Sequence, residues 1–427
     1  MFPPEIKYYI FSYLSYSLVS KLSIYFPQHT LLNSNVFVLC TKYYTDRFFN
    51  AYSNRCTLSE EDADFIFRYY IVRCQFFRFP VLIWTLENDA NIHYNNDMAV
   101  GYAARCGYLK IIKKLIDYGA DVRADDDYAF RTAAENNCLN VVKYLKDTFD
   151  VNIEADDNSA IKEASFNGHA EMVLYLIENG ANVNAERGMA LINAANSNHL
   201  DVVKLLIKHG ASVKEDDSEA LKIASRCGNF EVVKFLFELD PTIDDSDKEE
   251  ACEQAAWNGH INIVKFFIEN KVKIDKYQIK YAAESGYLDV VEYLIRPEIG
   301  CSKNDALLGA CQGGHLPIVK MLLNNGADVH YGEDEAIIEA SDKGNVDVVR
   351  YLIKKGANFH VNCEQPLYNA TIEGHLNVVK CLVEAGANFR ADNNAAMYYA
   401  LKNNRSDILE YLKQAEKEYP ELKMPYY

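Results

Sequence analysis

The chain has 427 residues with an apolar content of 49%, ordinary for a folded protein. Its 44 Lys and Arg against 61 Asp and Glu give a net charge of −17, which argues against a nucleic-acid phosphate backbone or an anionic membrane as a main partner. Eleven cysteines are scattered singly, with no C-x-x-C pair and no zinc spacing. They are expected to be reduced, mostly buried small residues of an intracellular protein that needs neither metal nor cofactor.

The N-terminus reads against a signal peptide, because Pro3, Pro4 and Glu5 interrupt it at once. The most apolar window, residues 65–84, carries Arg68, Arg73 and Arg78, which argues against a membrane span. Residues 1–50 stand apart from the rest of the chain. Ile6, Ile10 and Leu14, then Leu18 and Leu22, fall at helical spacing, and Pro3 and Pro4 suit the start of a helix. The run Pro4-Glu5-Ile6 followed by Ile10-Phe11-Ser12-Tyr13-Leu14 resembles the opening of the F-box, a short helical module that docks on the Skp1 adaptor of ubiquitin ligases. That resemblance implies a Skp1 contact within residues 1–45, carried by Pro4, Ile6, Ile10, Phe11 and Leu14. The second half of the module fits poorly: Leu39-Cys40-Thr41-Lys42-Tyr43 arrives late and lacks the family's Trp. The alternative is an amphipathic helical cap on the open end of a repeat array, and both roles are compatible.

Residues 51–92 read as a degenerate first repeat, since Val81 to Ile92 lines up with the repeat's second half. From Asp97 onward the register is firm. A Gly or Asn marker recurs at 107, 137, 168, 198, 228, 259, 286, 314, 344, 374 and 404, and four residues before each stands an alanine, from Ala103 to Ala400. Each unit reads as helix, tight turn, helix, C-terminal Gly and a short loop. In the unit Gly374–Phe389, Leu376, Val379 and Val383 form the apolar stripe of the second helix, and Gly386 supplies the left-handed residue that ends it. Ten residues before the markers sit Asp97, Asp127, Asn158, Gly188, Ser218, Asn304, Asp334 and Asn394, read as N-caps of the first helix.

The element Gly-His-Leu-x-Val-Val-x-x-Leu-Leu-x-x-Gly-Ala-Asp-Val resembles the ankyrin repeat over roughly residues 77–415. The resemblance implies an all-α solenoid of helix-turn-helix units and a protein-binding role. It divides the chain into an N-terminal module at 1–50, the degenerate repeat at 51–92, repeats at 93–390 and a C-terminal capping repeat at 391–427. The period is about 30 rather than the family's usual 33. The loss falls before helix 1, where the family builds a β-hairpin finger, so truncated fingers are expected. Arg296-Pro297 must end one second helix early, and with the short loop at 271–276 a local change of curvature is expected near 270–305. The Asn, Ile, Lys and Tyr richness resembles the large ankyrin families of giant viruses of amoebae, which would place the protein in the host cytoplasm.

No nucleotide, metalloprotease, hydrolase or kinase motif is present, so no catalytic residue is expected. His169, His199, His260, His315 and His375 share one repeat column, which reads as structural, with each ring bonding neighbouring backbone. The acidic runs before helix 1 read as capping and solvation or as an edge that attracts a basic partner. The informative column lies two residues before each marker: Arg105, Glu135, Phe166, Asn196, Arg226, Trp257, Glu284, Gln312, Asp342, Ile372, Lys402. Its neighbours barely change while it spans every residue class, as a recognition surface would. Arg105, Phe166, Arg226, Trp257 and Ile372 are therefore the candidate contacts for a partner protein on the concave face of a monomer. Trp257 could instead lie flat on the next repeat.

Overall fold

The inner helices carry two alanines one turn apart in most units, such as Ala99 and Ala103, Ala129 and Ala133, or Ala336 and Ala340, and all are buried. Residues four apart lie on one face of a helix, so this face is almost without side-chain bulk and lets helices approach closely. The outer helices instead bury β-branched and larger residues, for example Val142 and Leu145, Val203 and Leu206, and Val379 and Leu382.

The computed structural model describes residues 83 and 85–418. The F-box-like residues Pro4, Ile6, Ile10, Phe11 and Leu14, and most of the 51–92 segment, lie outside the described residues. Twenty-two helices and no strand are found among the described residues. They are α1 (Met98–Arg105), α2 (Leu109–Asp117), α3 (Ala124–Glu135), α4 (Leu139–Phe149), α5 (Ala155–Phe166), α6 (Ala170–Glu178), α7 (Ala185–Asn196) and α8 (Leu200–Lys208). The order continues with α9 (Glu215–Cys227), α10 (Phe230–Leu239), α11 (Asp245–Trp257), α12 (Ile261–Glu269), α13 (Lys276–Ser285), α14 (Leu288–Leu294) and α15 (Lys303–Gly313). It ends with α16 (Leu316–Asn324), α17 (Tyr331–Asp342), α18 (Val346–Lys354), α19 (Val361–Glu373), α20 (Leu376–Glu384), α21 (Ala391–Lys402) and α22 (Ser406–Glu418).

Two compact units share the chain, one ending at Ala190 and the other starting at Leu191, within α7. Within each unit the odd-numbered helices pack on one another in sequence, far more closely than the even-numbered ones do. The alanine face accounts for the difference. The marker residues take a left-handed backbone, whether Gly (Gly168, φ 74°) or Asn (Asn137, φ 58°), and these are the two residue types that tolerate it best. The second helix ends as expected on a left-handed Gly, at φ 107° for Gly386.

The segment before the first helix differs from the N-cap expectation. In eight units three consecutive residues adopt positive φ: 95–97, 125–127, 156–158, 186–188, 216–218, 332–334, 362–364 and 392–394. They form a short left-handed turn, and it occupies the place of the family's hairpin finger. Most of these residues are Asp, Asn or Gly, which take this conformation at least cost. The third residue of the turn does not cap its own helix: Asp97, Asp127 and Asn158 are buried and their side chains accept from the backbone N–H of Asp121, Asn152 and Asn182, 24 or 25 residues on. Asp334 likewise accepts from Asn358 N–H at 2.8 Å. Each side chain therefore ties the start of one repeat to its end. The receiving residue forms a turn of its own, as when Asn152 Oδ1 accepts from Glu154 N–H at 3.1 Å.

Among the described residues, side-chain N-caps are found where the period shortens. Asp275 accepts from Tyr277 N–H at 2.7 Å and forms a capping box with Gln278, and Ser302 accepts from Asp305 N–H. Between these caps α14 is cut to seven residues, as Pro297 required. Here α13 and α15 pack backbone against backbone: a Cβ on Gly309 would fall 2.2 Å from the Lys280 carbonyl oxygen, and one on Gly313 would fall 2.0 Å from that of Glu284. The local packing thus changes inside the 270–305 region and just beyond it.

The cysteines are free among the described residues, but their burial is mixed: Cys252 and Cys311 are buried, Cys381 is half-buried, and Cys227 and Cys363 are exposed. The sequence expectation of mostly buried thiols holds for Cys252 and Cys311 and fails for the other six described cysteines. Cys363 instead falls in a left-handed turn and Cys227 follows the variable position.

Two outcomes check this description. Asp125 sits at φ 56° with its side chain exposed. Asp125→Val should cost ~1–2 kcal/mol in urea unfolding, whereas Asp125→Gly should be neutral or slightly stabilising. Gly309→Ala should lower the thermal midpoint sharply, with a cost of about 1–3 kcal/mol or more from backbone overlap, since Lys280's carbonyl cannot move aside as a side chain could.

Candidate protein-binding surface

The surface follows from how the helix pairs are joined. The residue after each marker donates its backbone N–H to the alanine column of its own inner helix, as with His169 to Ala164, His315 to Ala310 and His375 to Ala370. Its side chain reaches back one repeat. His169 Nε2 lies 3.0 Å from the carbonyl oxygen of Glu135, His260 Nε2 2.9 Å from that of Arg226, His315 Nε2 2.8 Å from that of Glu284, and His375 Nε2 2.8 Å from that of Asp342. A carbonyl only accepts, so Nε2 carries the proton in each. Where Asn or Arg replaces histidine, the bond persists: Asn229 donates to Asn196, Asn345 to Gln312, and Arg405 Nε to Ile372. The histidine column is therefore structural, as its recurrence implied.

Every acceptor in that series is a residue of the variable column. The array uses these residues through their main-chain carbonyl, at the last turn of the inner helix where carbonyls lack partners. That bond makes no demand on their side chains. Arg105, Phe166, Arg226 and Trp257 are exposed and Ile372 is half-buried, with Phe166 at 42% and Trp257 at 47% of full exposure. Arg105 and Phe166 belong to the first unit; Arg226, Trp257 and Ile372 belong to the second.

Trp257 combines both readings of it. It stacks on Tyr281 of the next inner helix, with centroids 4.8 Å apart and planes 18° apart, and Tyr281 stacks in turn on Tyr277 at 6.0 Å and 22°. The outer edges of this stack stay open, since Tyr277 is also 42% exposed. The tyrosines were not singled out by sequence. Their signal was the pair Tyr277 and Tyr281, one helical turn apart on the inner helix that follows Trp257.

A second column lies one turn before the variable one and bridges repeats. Arg131 Nη1 meets Asp156 Oδ2 at 2.7 Å, Lys162 Nζ meets Glu186 Oε2 at 2.6 Å, and Lys222 Nζ meets Asp247 at 3.1 Å and Glu250 at 2.7 Å. The acidic runs are thus partly bound by the chain's own cations, and Asp126 Oδ2 also accepts from Asp156 N–H. No cluster of His, Cys, Asp and Glu able to hold a metal is found among the described residues. Burial pushes the Cys252 thiol up to about 12, leaving it protonated and a poor nucleophile.

This architecture defines a repeat protein of the helix-turn-helix class, and the chain belongs to the ankyrin-repeat family: the model of that family, built on three repeat copies, matches residues 100–187, 186–247, 279–363 and 337–421. Residues 248–278, with Trp257 and Tyr277, fall between two of these matches. Among curated proteins, an ankyrin repeat protein of Acanthamoeba polyphaga mimivirus is 32% identical over 130 residues, which cover 24% of this chain. The match spans 27% of that relative's length. No described helix is long and apolar enough to cross a membrane.

Because Asn already serves in place of His at Asn229 and Asn345, His375→Asn should leave the unfolding midpoint nearly unchanged. His375→Leu, which leaves the Asp342 carbonyl without its donor, should cost about 1–3 kcal/mol by denaturant titration.

Proposed function

We propose that this protein is a non-enzymatic interaction scaffold. Ankyrin repeats are protein-interaction modules, and a partner protein binds on the exposed side of the odd-numbered helices, which corresponds to the concave face of ankyrin-like stacks. Arg105, Phe166, Arg226, Trp257 and Ile372 carry the contact. One observation supports this most directly: the side chains of Arg105, Phe166, Arg226 and Trp257 are exposed, and where the next repeat bonds the column, as at Arg226 and Ile372, it does so through the main-chain carbonyl. Exposed Trp, Phe and Arg are also the side chains that dominate interface energetics. The viral relative supports a viral origin and the host cytoplasm as the place of action.

The F-box-like run at Pro4, Glu5, Ile6, Ile10, Phe11 and Leu14 supports a more specific role, a substrate adaptor. In it residues 1–45 hold Skp1 and the repeats capture the protein to be ubiquitinated.

Two measurements test these readings. Proximity labelling in the native cell supplies the partner, and the paired substitution Trp257→Ala and Phe166→Ala should weaken its binding at least tenfold; unchanged affinity removes the variable column from the interface. Skp1 should be retained by the intact chain and lost from a chain lacking residues 1–50. Absence of Skp1 from both samples ends the adaptor reading and leaves the scaffold reading standing.

A further inference from the structure

The bridging column links repeats through a cation in three units and holds an acid in one. Where Arg131, Lys162 and Lys222 extend a cation to an acid of the following repeat, the next unit has Glu253. The following repeat still offers an acid there, Asp275, and the electrostatic repulsion between the two is felt: burial first, then Asp275 and Glu250, raise the Glu253 carboxyl above the usual range. Glu250 is already paired with Lys222. Neither Glu253 nor Asp275 has an ion-pair partner among the described residues. The chain thus presents two carboxylates at a place where three of its other repeats extend a cation to an acid.

This acid pair borders the aromatic stack. Trp257 lies one helical turn beyond Glu253 on α11, and Tyr277 and Tyr281 lie on α13, which Asp275 caps. Tyr281 feels the charge of both Glu253 and Asp275. Lys276 Nζ sits 5.3 Å from the Tyr277 ring, which shows that the outer end of the stack accepts a cation over its face. Aromatic faces and carboxylates side by side are complementary to one side chain above all. A guanidinium is planar, stacks on rings and pairs with carboxylates through its fork of N–H donors.

We infer that Glu253, Asp275 and the Trp257–Tyr281–Tyr277 stack form a subsite for an arginine-bearing segment of the partner protein. It rests on the scaffold reading and narrows it to a partner chemistry. The partner's arginine supplies between Glu253 and Asp275 the charge that Arg131, Lys162 and Lys222 supply elsewhere from within the chain.

The test uses the full chain and a fluorescein-labelled Gly/Ser peptide with three spaced arginines, read by anisotropy, with the same peptide carrying alanines as control. The arginine peptide should bind, and the alanine peptide should not. Glu253→Lys should weaken binding at least tenfold and Trp257→Ala by a similar factor, each with an unchanged circular dichroism spectrum. Glu171→Lys makes the same change of charge on the exposed outer helix α6 and should have little effect. No binding up to millimolar peptide, or equal losses from Glu171→Lys and Glu253→Lys, would overturn the subsite, the latter by showing attraction to net charge alone. A cell-derived partner that depends on Trp257 and Phe166 but not on Glu253 would overturn this inference while sparing the scaffold reading.

Discussion

The bond from the residue after a marker to a carbonyl of the preceding inner helix, made after at least seven of the eleven markers, is the constraint on which much of the array depends. An α-helix ends with carbonyls that have no partner inside it. Here seven such carbonyls are satisfied by the imidazole, amide or guanidinium of the next repeat, at 2.8–3.0 Å for His169, His260, His315, His375 and Arg405. The same residue uses its backbone N–H on its own inner helix. One residue therefore closes one helix and registers the next pair of helices upon it. Each such bond contributes only ~0.5–1.5 kcal/mol net, but it recurs along a one-dimensional stack whose stability is a sum over neighbours.

The left-handed turns are a second device of the same kind. A shortened repeat cannot build a hairpin, and three residues of positive φ bring the chain round in less length. The cost of that backbone is lowered by Asp, Asn and Gly, and offset by what the third residue does. Buried Asp97, Asp127 and Asp334 each accept a backbone N–H from the far end of the same repeat. Three of the acidic residues so placed also have a histidine one turn earlier, in the pairs His93 with Asp97, His330 with Asp334 and His360 with Glu364. Asp127 has Arg123 in that position, 3.5 Å away. A buried carboxylate needs such company, because its unpaired charge would be costly to desolvate.

Constancy and variation then separate cleanly. The alanine faces, the carbonyl bonds and the turn carboxylates are geometric requirements, so they repeat. The variable column is bonded chiefly through its main chain, and exposed side chains such as Arg105, Phe166 and Arg226 are left to the solvent or to a partner. The segment from α11 to α15 bends several of these rules together. Its caps are conventional, Gly309 and Gly313 bring α15 onto the backbone of α13, and the bridging cation is replaced by Glu253. An exposed aromatic stack stands in that same segment.

Periodicity alone determined the helix pairs, the turn and C-terminal Gly of each unit, and the structural nature of the histidine column. Those features follow from side-chain size and polarity recurring at a fixed interval, which a single sequence displays. The acidic runs were legible as polar but not in their role. Asp127 looks like an N-cap because it precedes a helix, and only the folded chain shows its carboxylate turned to Asn152, 25 residues away, since hydrogen bonds between distant residues leave no local pattern. Cys363 and Cys227 were misjudged for the same reason, as exposure depends on neighbours in space. Trp257 was visible as an outlier in its column, but its stack on Tyr281 and the missing cation at Glu253 needed adjacent repeats placed side by side. That placement is decided by close packing of the inner helices, a property of the tertiary structure.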